Sequence, residues 1–164
     1  MKITAIRGIM LRCTCSPISD ALSTSTARQA LLVKIETDAG LYGIGEAFTY
    51  GAPLKIMKYL VEEQLGPMLI GQDPTEIEKH WNTMYWRTIA HGRRSMTMGA
   101  MSGIDIALWD LLGKAAHMPV CKLLGQVTDK VQGYASAGFY APGKTLEDLQ
   151  REIEGYLQRG FTAF

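Results

Sequence analysis

The sequence lacks an excess of charge of either sign, a long apolar run and a dense set of cysteines. It contains 17 Lys and Arg residues and 16 Asp and Glu residues, so its formal net charge is +1. Such a chain has no bulk attraction for nucleic acid or anionic membranes. No stretch of about 18 apolar residues occurs, so we expect no membrane-spanning helix. The N-terminus alternates in polarity, so we also expect no signal peptide.

The three cysteines are an odd number, which indicates free thiols and a reducing, cytoplasmic compartment. Cys13 and Cys15 lie two residues apart in a strand-like stretch. A metal-binding pair is possible there, but two small strand residues are the favoured interpretation, because no matching cluster of ligands accompanies them.

The chain has the composition of a globular protein, with 47% hydrophobic and 20% charged residues over 164 positions. Polarity alternates over residues 2–13, 28–37 and 41–48, and a turn at residues 38–40 separates the last two segments. This pattern predicts a three-stranded antiparallel meander. Residues 14–27 are rich in Ser and Thr, and we expect a long loop there, which is often functional.

Gly43 and Gly45 suggest a phosphate-binding loop at first sight. We reject that interpretation, because both glycines lie inside a predicted hairpin strand and not between a strand and a helix. The favoured interpretation is that they let a neighbouring backbone pass closely.

Three helices are predicted after the meander. The first carries an apolar stripe between residues 54 and 65. The second starts at the sequence DPTE, with Asp73 as the N-cap, and its predicted apolar face ends at Ile89. The third runs from about residue 96 to residue 116, and its buried stripe is predicted to reach Ala115.

Polar residues of the third helix have two interpretations. Asp105 lies near the apolar side, and a structural hydrogen bond at a domain seam is favoured over a catalytic role. Asp110 and Lys114 form an ordinary i, i+4 ion pair in this interpretation.

The C-terminal part predicts a β-α-β unit. A strand is expected over residues 131–140, a turn at 142–143, an amphipathic helix over 145–159, and a buried strand over 161–164. One such unit demands a parallel sheet and cannot cover both faces of it. We therefore expect the chain to be truncated, with more β-α units to follow.

The segment AMSGIDIALWDLLGKAAHMPVCKLLG resembles the signature of the mandelate racemase and muconate lactonizing enzyme branch of the enolase superfamily. It shares the small residues, acids and closing Leu-Leu-Gly of that signature: Ala100, Ser102, Gly103, Asp105, Ala107, Leu108, Asp110, Gly113, Lys114, Pro119, Val120, Leu123, Leu124 and Gly125. The MKITAIR opening, the GxGE hairpin and the helix start fit as well, so the resemblance covers all 164 residues. It implies an α+β capping domain over residues 1–125 and the incomplete beginning of a TIM-like (β/α) barrel over residues 126–164.

The resemblance also implies chemistry. Family members abstract the proton alpha to a carboxylate and stabilise the resulting enediolate with Mg²⁺, held by carboxylates on later barrel strands. The sequence GFTAF at residues 160–164 resembles the lead-in to a catalytic Lys-x-Lys pair, so the lysines and metal ligands are expected beyond Phe164. This implies no catalytic or metal-binding residue here, an inactive segment on its own, and an active, homo-oligomeric full-length enzyme.

Two segments, at about residues 15–27 and 47–53, resemble the mobile loops that cap the barrel. The candidate substrate-binding residues are Ser23, Thr24, Tyr50 and Ser136. For Ser136, a hydrogen bond to the substrate carboxylate and simple packing at the barrel mouth are equally favoured.

The hydroxyl groups of the first segment suit a small polyhydroxylated carboxylate, which favours an acid-sugar dehydratase, a lyase. The alternatives are a racemase or epimerase, a cycloisomerase, or a non-catalytic binding or assembly module.

Overall fold

The computed structural model describes residues 1–164. The chain divides into two compact units. The first contains Met1–Arg12 and Gln29–Gln126, and the second contains Cys13–Arg28 and Val127–Phe164. No helix in the chain combines the length and apolarity that crossing a membrane would need.

The sheet has three strands in the order β1-β2-β3: β1 is Ile3–Ser19, β2 is Thr24–Thr37 and β3 is Tyr42–Ala47. Strands β2 and β3 are antiparallel, with Val33 opposite Gly45. The turn between them contains Gly40 at a φ of +75°, a conformation that glycine adopts without steric cost. The predicted antiparallel meander is therefore confirmed.

The predicted loop over residues 14–27 is wrong, because β1 and β2 both continue into it. Only residues 20–23 connect the two strands. The Asp20 carboxylate accepts the N–H groups of Leu22 and Ser23, each at 2.8 Å, and so closes the turn. The Ser- and Thr-rich composition suggested a loop, but Thr has a high β propensity and two neighbouring strands satisfy each other's backbone groups.

The helices of the first unit follow β3. They are α1 (Leu54–Tyr59), which continues through a π-helical turn (Leu60–Leu65) and a 3₁₀ turn (Gly66–Met68), α2 (Ile77–Gly92), α3 (Met96–Ala115) and the short α4 (Val120–Leu123).

Asp73 is not the N-cap of α2, contrary to the sequence-based expectation. Its carboxylate accepts the Thr75 N–H group at 2.9 Å, and its carbonyl accepts the Glu76 N–H group at 3.2 Å. These bonds form a separate turn, and α2 begins only at Ile77. An Asp side chain that closes a local turn competes with the helix for the same backbone groups.

Helix α3 is the centre of the hydrophobic core. Ser95 caps its start by accepting the Thr97 N–H group at 3.2 Å. Its fully buried residues are Ala100, Met101, Ile104, Ala107, Leu108 and Leu111. The prediction was wrong for Ala115, which is exposed in the last position of α3. It was also wrong for Ile89, because the buried face of α2 passes through Met84 and Thr88 instead.

In the second unit, the helix prediction is confirmed and the strand predictions are wrong. Helix α5 (Leu146–Gln158) begins with a capping box between Thr145 and Asp148, and Gly160 follows it at a φ of +89°. Residues 131–140 and 161–164 form no strand, and only Tyr140 takes part in an isolated bridge. Between them lies one backbone hydrogen bond, from the Ala135 N–H group to the Ala163 carbonyl at 2.9 Å. A strand requires a run of such bonds.

Candidate functional site

The tip of the β1–β2 hairpin carries a closely spaced pair of hydroxyl groups. The Ser19 Oγ and Thr24 Oγ1 atoms lie 2.7 Å apart, which is hydrogen-bond distance. Between them, the Asp20 N–H group donates to the Ser23 carbonyl at 3.0 Å. Ser23 and Thr24 are exposed. The tip is therefore a short, hydrogen-bonded turn that presents hydroxyl groups to solvent.

The hairpin tip is joined to residues 131–140 within the second unit. Ser19 and Tyr140 form an antiparallel bridge, in which each residue donates its N–H group to the other's carbonyl at 2.8 Å. Ser136 lies four residues before Tyr140 on this segment and is exposed, whereas its neighbour Ala135 is buried. The fold thus places Ser136 on a segment that is hydrogen-bonded to the tip carrying Ser23 and Thr24.

An ion pair supports the same segment from α5. Lys144 contacts the Glu152 carboxylate and also donates to the Phe139 carbonyl at 2.8 Å. The other Glu152 oxygen accepts the Gly138 N–H group at 3.4 Å. The hydrogen bond from Lys144 lowers the pKa of Glu152 most, burial opposes that shift, and the Gly138 N–H group adds to it. Sequence reasoning missed this pair, because a spacing of eight residues has no signature in a helix pattern.

Tyr50, the fourth candidate residue, belongs to the first unit and not to the second. It lies in the turn after β3, is exposed, and its ring stacks on the Phe48 ring with centroids 6.5 Å apart. Three candidates, Ser23, Thr24 and Ser136, therefore belong to the second unit, and Tyr50 belongs to the first.

Strand β3, which precedes the turn that contains Tyr50, packs closely on α3. A Cβ placed on Gly43 would lie 2.0 Å from the Ala107 carbonyl oxygen, and one on Gly45 would lie 2.1 Å from the Gly103 carbonyl oxygen. Only glycine fits at such distances. The predicted role of these glycines in close backbone passage is confirmed.

The ion pair between Asp110 and Lys114 is also confirmed, with 2.7 Å between the charged atoms. It does more than the sequence indicated, because Asp110 accepts the Ile44 N–H group at 2.7 Å and Lys114 donates to the Tyr42 carbonyl at 3.0 Å. These two backbone groups belong to β3, an edge strand of the sheet. The ion pair therefore supplies hydrogen-bond partners to two backbone groups of this edge strand, as a further strand would.

Asp105 is half-buried in α3, and its carboxylate has no hydrogen-bond partner within the 164 residues, so the predicted structural bond is not seen in this chain. Burial raises the pKa of its carboxyl, and the nearby negative charge of Glu78 raises it further.

Residues that commonly hold metals are dispersed over the molecule. No group of three or more His, Cys, Asp or Glu residues is arranged to hold an ion. Two of the histidines have other contacts, since His80 Nε2 lies 2.6 Å from the Asp73 carbonyl and His91 Nε2 lies 2.7 Å from Gln64 Nε2. The three cysteines are free.

Comparison with known proteins adds the family. Residues 4–125 match the family described as mandelate racemase / muconate lactonizing enzyme, N-terminal domain. The chain belongs to this family. Its meander and helices correspond to the N-terminal capping domain of family members, which are members of the enolase superfamily.

Three relatives illustrate the similarity. An arabinonate dehydratase of Saccharolobus solfataricus is 38% identical over 81% of this chain and 35% of its own length. A D-mannonate dehydratase of Novosphingobium aromaticivorans is 36% identical over 99% of this chain and 36% of its own. The crystal structure of L-talarate dehydratase from Polaromonas sp. JS666, complexed with Mg and L-glucarate, matches with a TM-score of 0.82. That match has 30% identity and covers 96% of this chain and 44% of the other. The chain spans about a third of the length of the curated relatives it matches.

Proposed function

We propose that this chain is the N-terminal part of an acid-sugar dehydratase. The observation that carries the proposal is the membership of the family together with relatives named as dehydratases of arabinonate, D-mannonate and L-talarate. In such a reaction, a 2,3-dihydroxy acid loses the proton on its α carbon and the hydroxyl on its β carbon. The enol that remains tautomerises to a 2-oxo acid.

The hairpin tip supports a polyhydroxylated substrate. Its Ser19, Ser23 and Thr24 hydroxyls can each donate and accept hydrogen bonds, and the Ser19–Thr24 pair is already arranged at 2.7 Å. Hydroxyl groups facing an apolar substrate would lose hydrogen bonds to water without replacement, which is costly. We propose that Ser23, Thr24, Tyr50 and Ser136 bind the acid sugar.

Magnesium is part of the proposal, but the residues of this chain do not fit it. No cluster of three or more potential ligands exists among the 164 residues. The similar L-talarate dehydratase was crystallised with Mg. We therefore propose that residues outside this sequence hold Mg²⁺ and supply the base, and that the 164 residues alone are inactive.

We also propose that residues 1–125 are the capping domain and that residues 126–164 begin the barrel. The match of residues 4–125 to the N-terminal domain of the family supports the first boundary. The capped helix α5, which follows the bridge at Tyr140, supports the start of a β-α unit.

The experiment is an assay of the full-length protein with Mg²⁺ against a set of acid sugars. Formation of a 2-oxo acid, with one water lost per molecule, is the expected result. Inversion of a stereocentre without loss of water would identify a racemase or epimerase, and ring formation or opening would identify a cycloisomerase. Saturable binding of an acid sugar without any turnover would contradict the dehydratase and favour a binding module.

Thr24→Ala and Tyr50→Phe test the candidate substrate contacts in the full-length enzyme. Each removes one hydroxyl, and the loss of a hydrogen bond to substrate should lower kcat/KM by roughly one to two orders of magnitude. The melting temperature should change little, because both residues are exposed. Thr83→Ala is the matched control, since it also removes a threonine hydroxyl, one that is half-buried and bonded only within α2. Unchanged kcat/KM in both test variants would rule out the proposed contacts.

A further inference from the structure

The ion pair between Lys144 and Glu152 is the most sheltered one in the chain. Its side chains retain 20% and 26% of their exposure. The exposed pair Arg151–Asp148, also on α5, retains 73% and 38%. A sheltered pair is screened less by water and salt, so it can fix a geometry that an exposed pair cannot.

Both members of this pair contact the backbone of the segment that leads to Tyr140. Lys144 donates to the Phe139 carbonyl, and Glu152 accepts the Gly138 N–H group. Gly138 has a φ of +80°, a conformation that favours glycine. One ion pair therefore holds two neighbouring backbone groups at this position, the Gly138 N–H group and the Phe139 carbonyl.

Gly138 lies between the candidate residue Ser136 and the bridge to the hairpin tip. Ser136 lies two residues before Gly138, and Tyr140 lies two residues after it and bridges to Ser19 of the hairpin tip. A change in the backbone at Gly138 would alter the direction of Ser136 and the registration of Tyr140 with Ser19 together. No other ion pair contacts Gly138 or Phe139.

We propose that Lys144 and Glu152 are a positioning pair for substrate binding: they hold the backbone at Gly138 and Phe139 so that Ser136 faces the substrate and Tyr140 retains the hairpin tip. The kinetic part of this inference rests on the proposed function, whereas the structural part does not. Neither residue touches substrate, so the pair acts through the segment it holds.

The test uses Lys144→Met and Glu152→Gln in the full-length protein, with amide hydrogen exchange as the first measurement. We expect the Tyr140 and Ser19 amides, which form the bridge, to exchange at least tenfold faster in Lys144→Met. Glu152→Gln should have a smaller effect, because the Gln carbonyl can still accept the Gly138 N–H group. Arg151→Met is the matched control, since it removes one cation from the exposed ion pair within α5, and its exchange should equal that of the parent.

Steady-state kinetics are the second measurement. Loss of a correctly placed binding group should raise KM about tenfold and leave kcat within about threefold, because binding and not the chemical step is affected. A merely structural pair would instead lower the amount of active enzyme and leave KM unchanged.

A charge swap separates positioning from simple attraction. Lys144→Glu combined with Glu152→Lys retains opposite charges but cannot donate to the Phe139 carbonyl or accept the Gly138 N–H group. We therefore expect it to remain as defective as Lys144→Met. Recovery of parental exchange and KM in the swap would overturn the proposal, and so would unchanged exchange at Tyr140 in Lys144→Met.

A full-length protein that turns over no acid sugar would refute the proposed function. In that case the hydrogen-exchange results alone would decide whether the pair holds the backbone at Gly138 and Phe139.

Discussion

Replacing Gly45 with alanine tests the close contact between β3 and α3. A Cβ there would lie 2.1 Å from the Gly103 carbonyl oxygen and 2.7 Å from the Ala107 amide nitrogen. Both are backbone atoms of a helix, which cannot rotate away as the end of a side chain can. To reach an ordinary contact of 3.4 Å, strand and helix would have to separate by about 1.3 Å.

That separation would disturb the packing at the centre of the hydrophobic core. Ala47 on β3 and Ile104 and Leu108 on α3 are fully buried, so the movement would open space among residues that are now in contact. Overpacking costs typically about 1–3 kcal/mol. We expect the upper end, about 3 kcal/mol, because neither side of this contact is flexible.

Amide hydrogen exchange of α3 in the full-length protein measures this cost. A loss of about 3 kcal/mol should speed exchange of the protected α3 amides by about 100-fold. Gly155→Ala is the control, because Gly155 lies within α5, a Cβ there meets nothing within 4 Å, and alanine is favoured in a helix by about 0.8–1 kcal/mol. It should leave α3 unchanged and slow exchange in α5. Parental exchange of α3 in Gly45→Ala would refute the close-packing argument.

Three further predictions concern polar groups. Asp110→Ala should lower the free energy of unfolding by about 1–3 kcal/mol, because the Ile44 N–H group loses its acceptor, and Lys114→Met should cost less in the same urea titration. Thr145→Ala should cost about 1 kcal/mol through loss of the α5 cap. The hydrogen bond from the Thr145 N–H group lowers the pKa of Asp148. The stabilisation by the cap is therefore complete above the ordinary carboxyl pKa and is lost as the pH falls through the lowered pKa of Asp148. Circular dichroism of the helix between pH 6 and pH 2 measures this loss. Burial raises the pKa of Asp105, so its contribution to stability is present at low pH and is lost as the pH rises. At pH 7, the Asp105→Asn variant should therefore unfold no more easily than the parent 164-residue chain. Easier unfolding of the variant would show that the carboxylate accepts a hydrogen bond.

Several features of the fold could be predicted because they depend on residues close in sequence. Gly40 and Gly160 end their elements at positive φ, as glycines after a strand and a helix often do. The Thr145 cap needs only the residue three positions later. The role of Gly43 and Gly45 could also be predicted, because a glycine inside a strand commonly marks the place where another backbone approaches closely.

Other features were missed because their cause lies far away in sequence. Residues 14–19 and 24–27 belong to strands and not to a loop, since each strand has a partner. Residues 131–140 are not a strand, since they form only one backbone bond, at Ala135, and one isolated bridge, at Tyr140. The roles of Asp110 and Lys114 on the backbone of β3 need the helix to be packed on the strand first. The substrate-binding roles of Ser23, Thr24, Tyr50 and Ser136 stay predictions.

The sequence by itself determined the family, the meander and the positions of the main helices, because these depend on local periodicity, caps and a long signature segment. The tertiary structure alone decided which extended segments became strands, which carboxylates reached backbone groups, and that Ser19 bridges to Tyr140. The physical reason is the same in each case. A backbone N–H or carbonyl group can form its hydrogen bond with any acceptor or donor that folding brings near. The Ile44 N–H group, for example, donates to Asp110, which lies 66 residues away in the sequence.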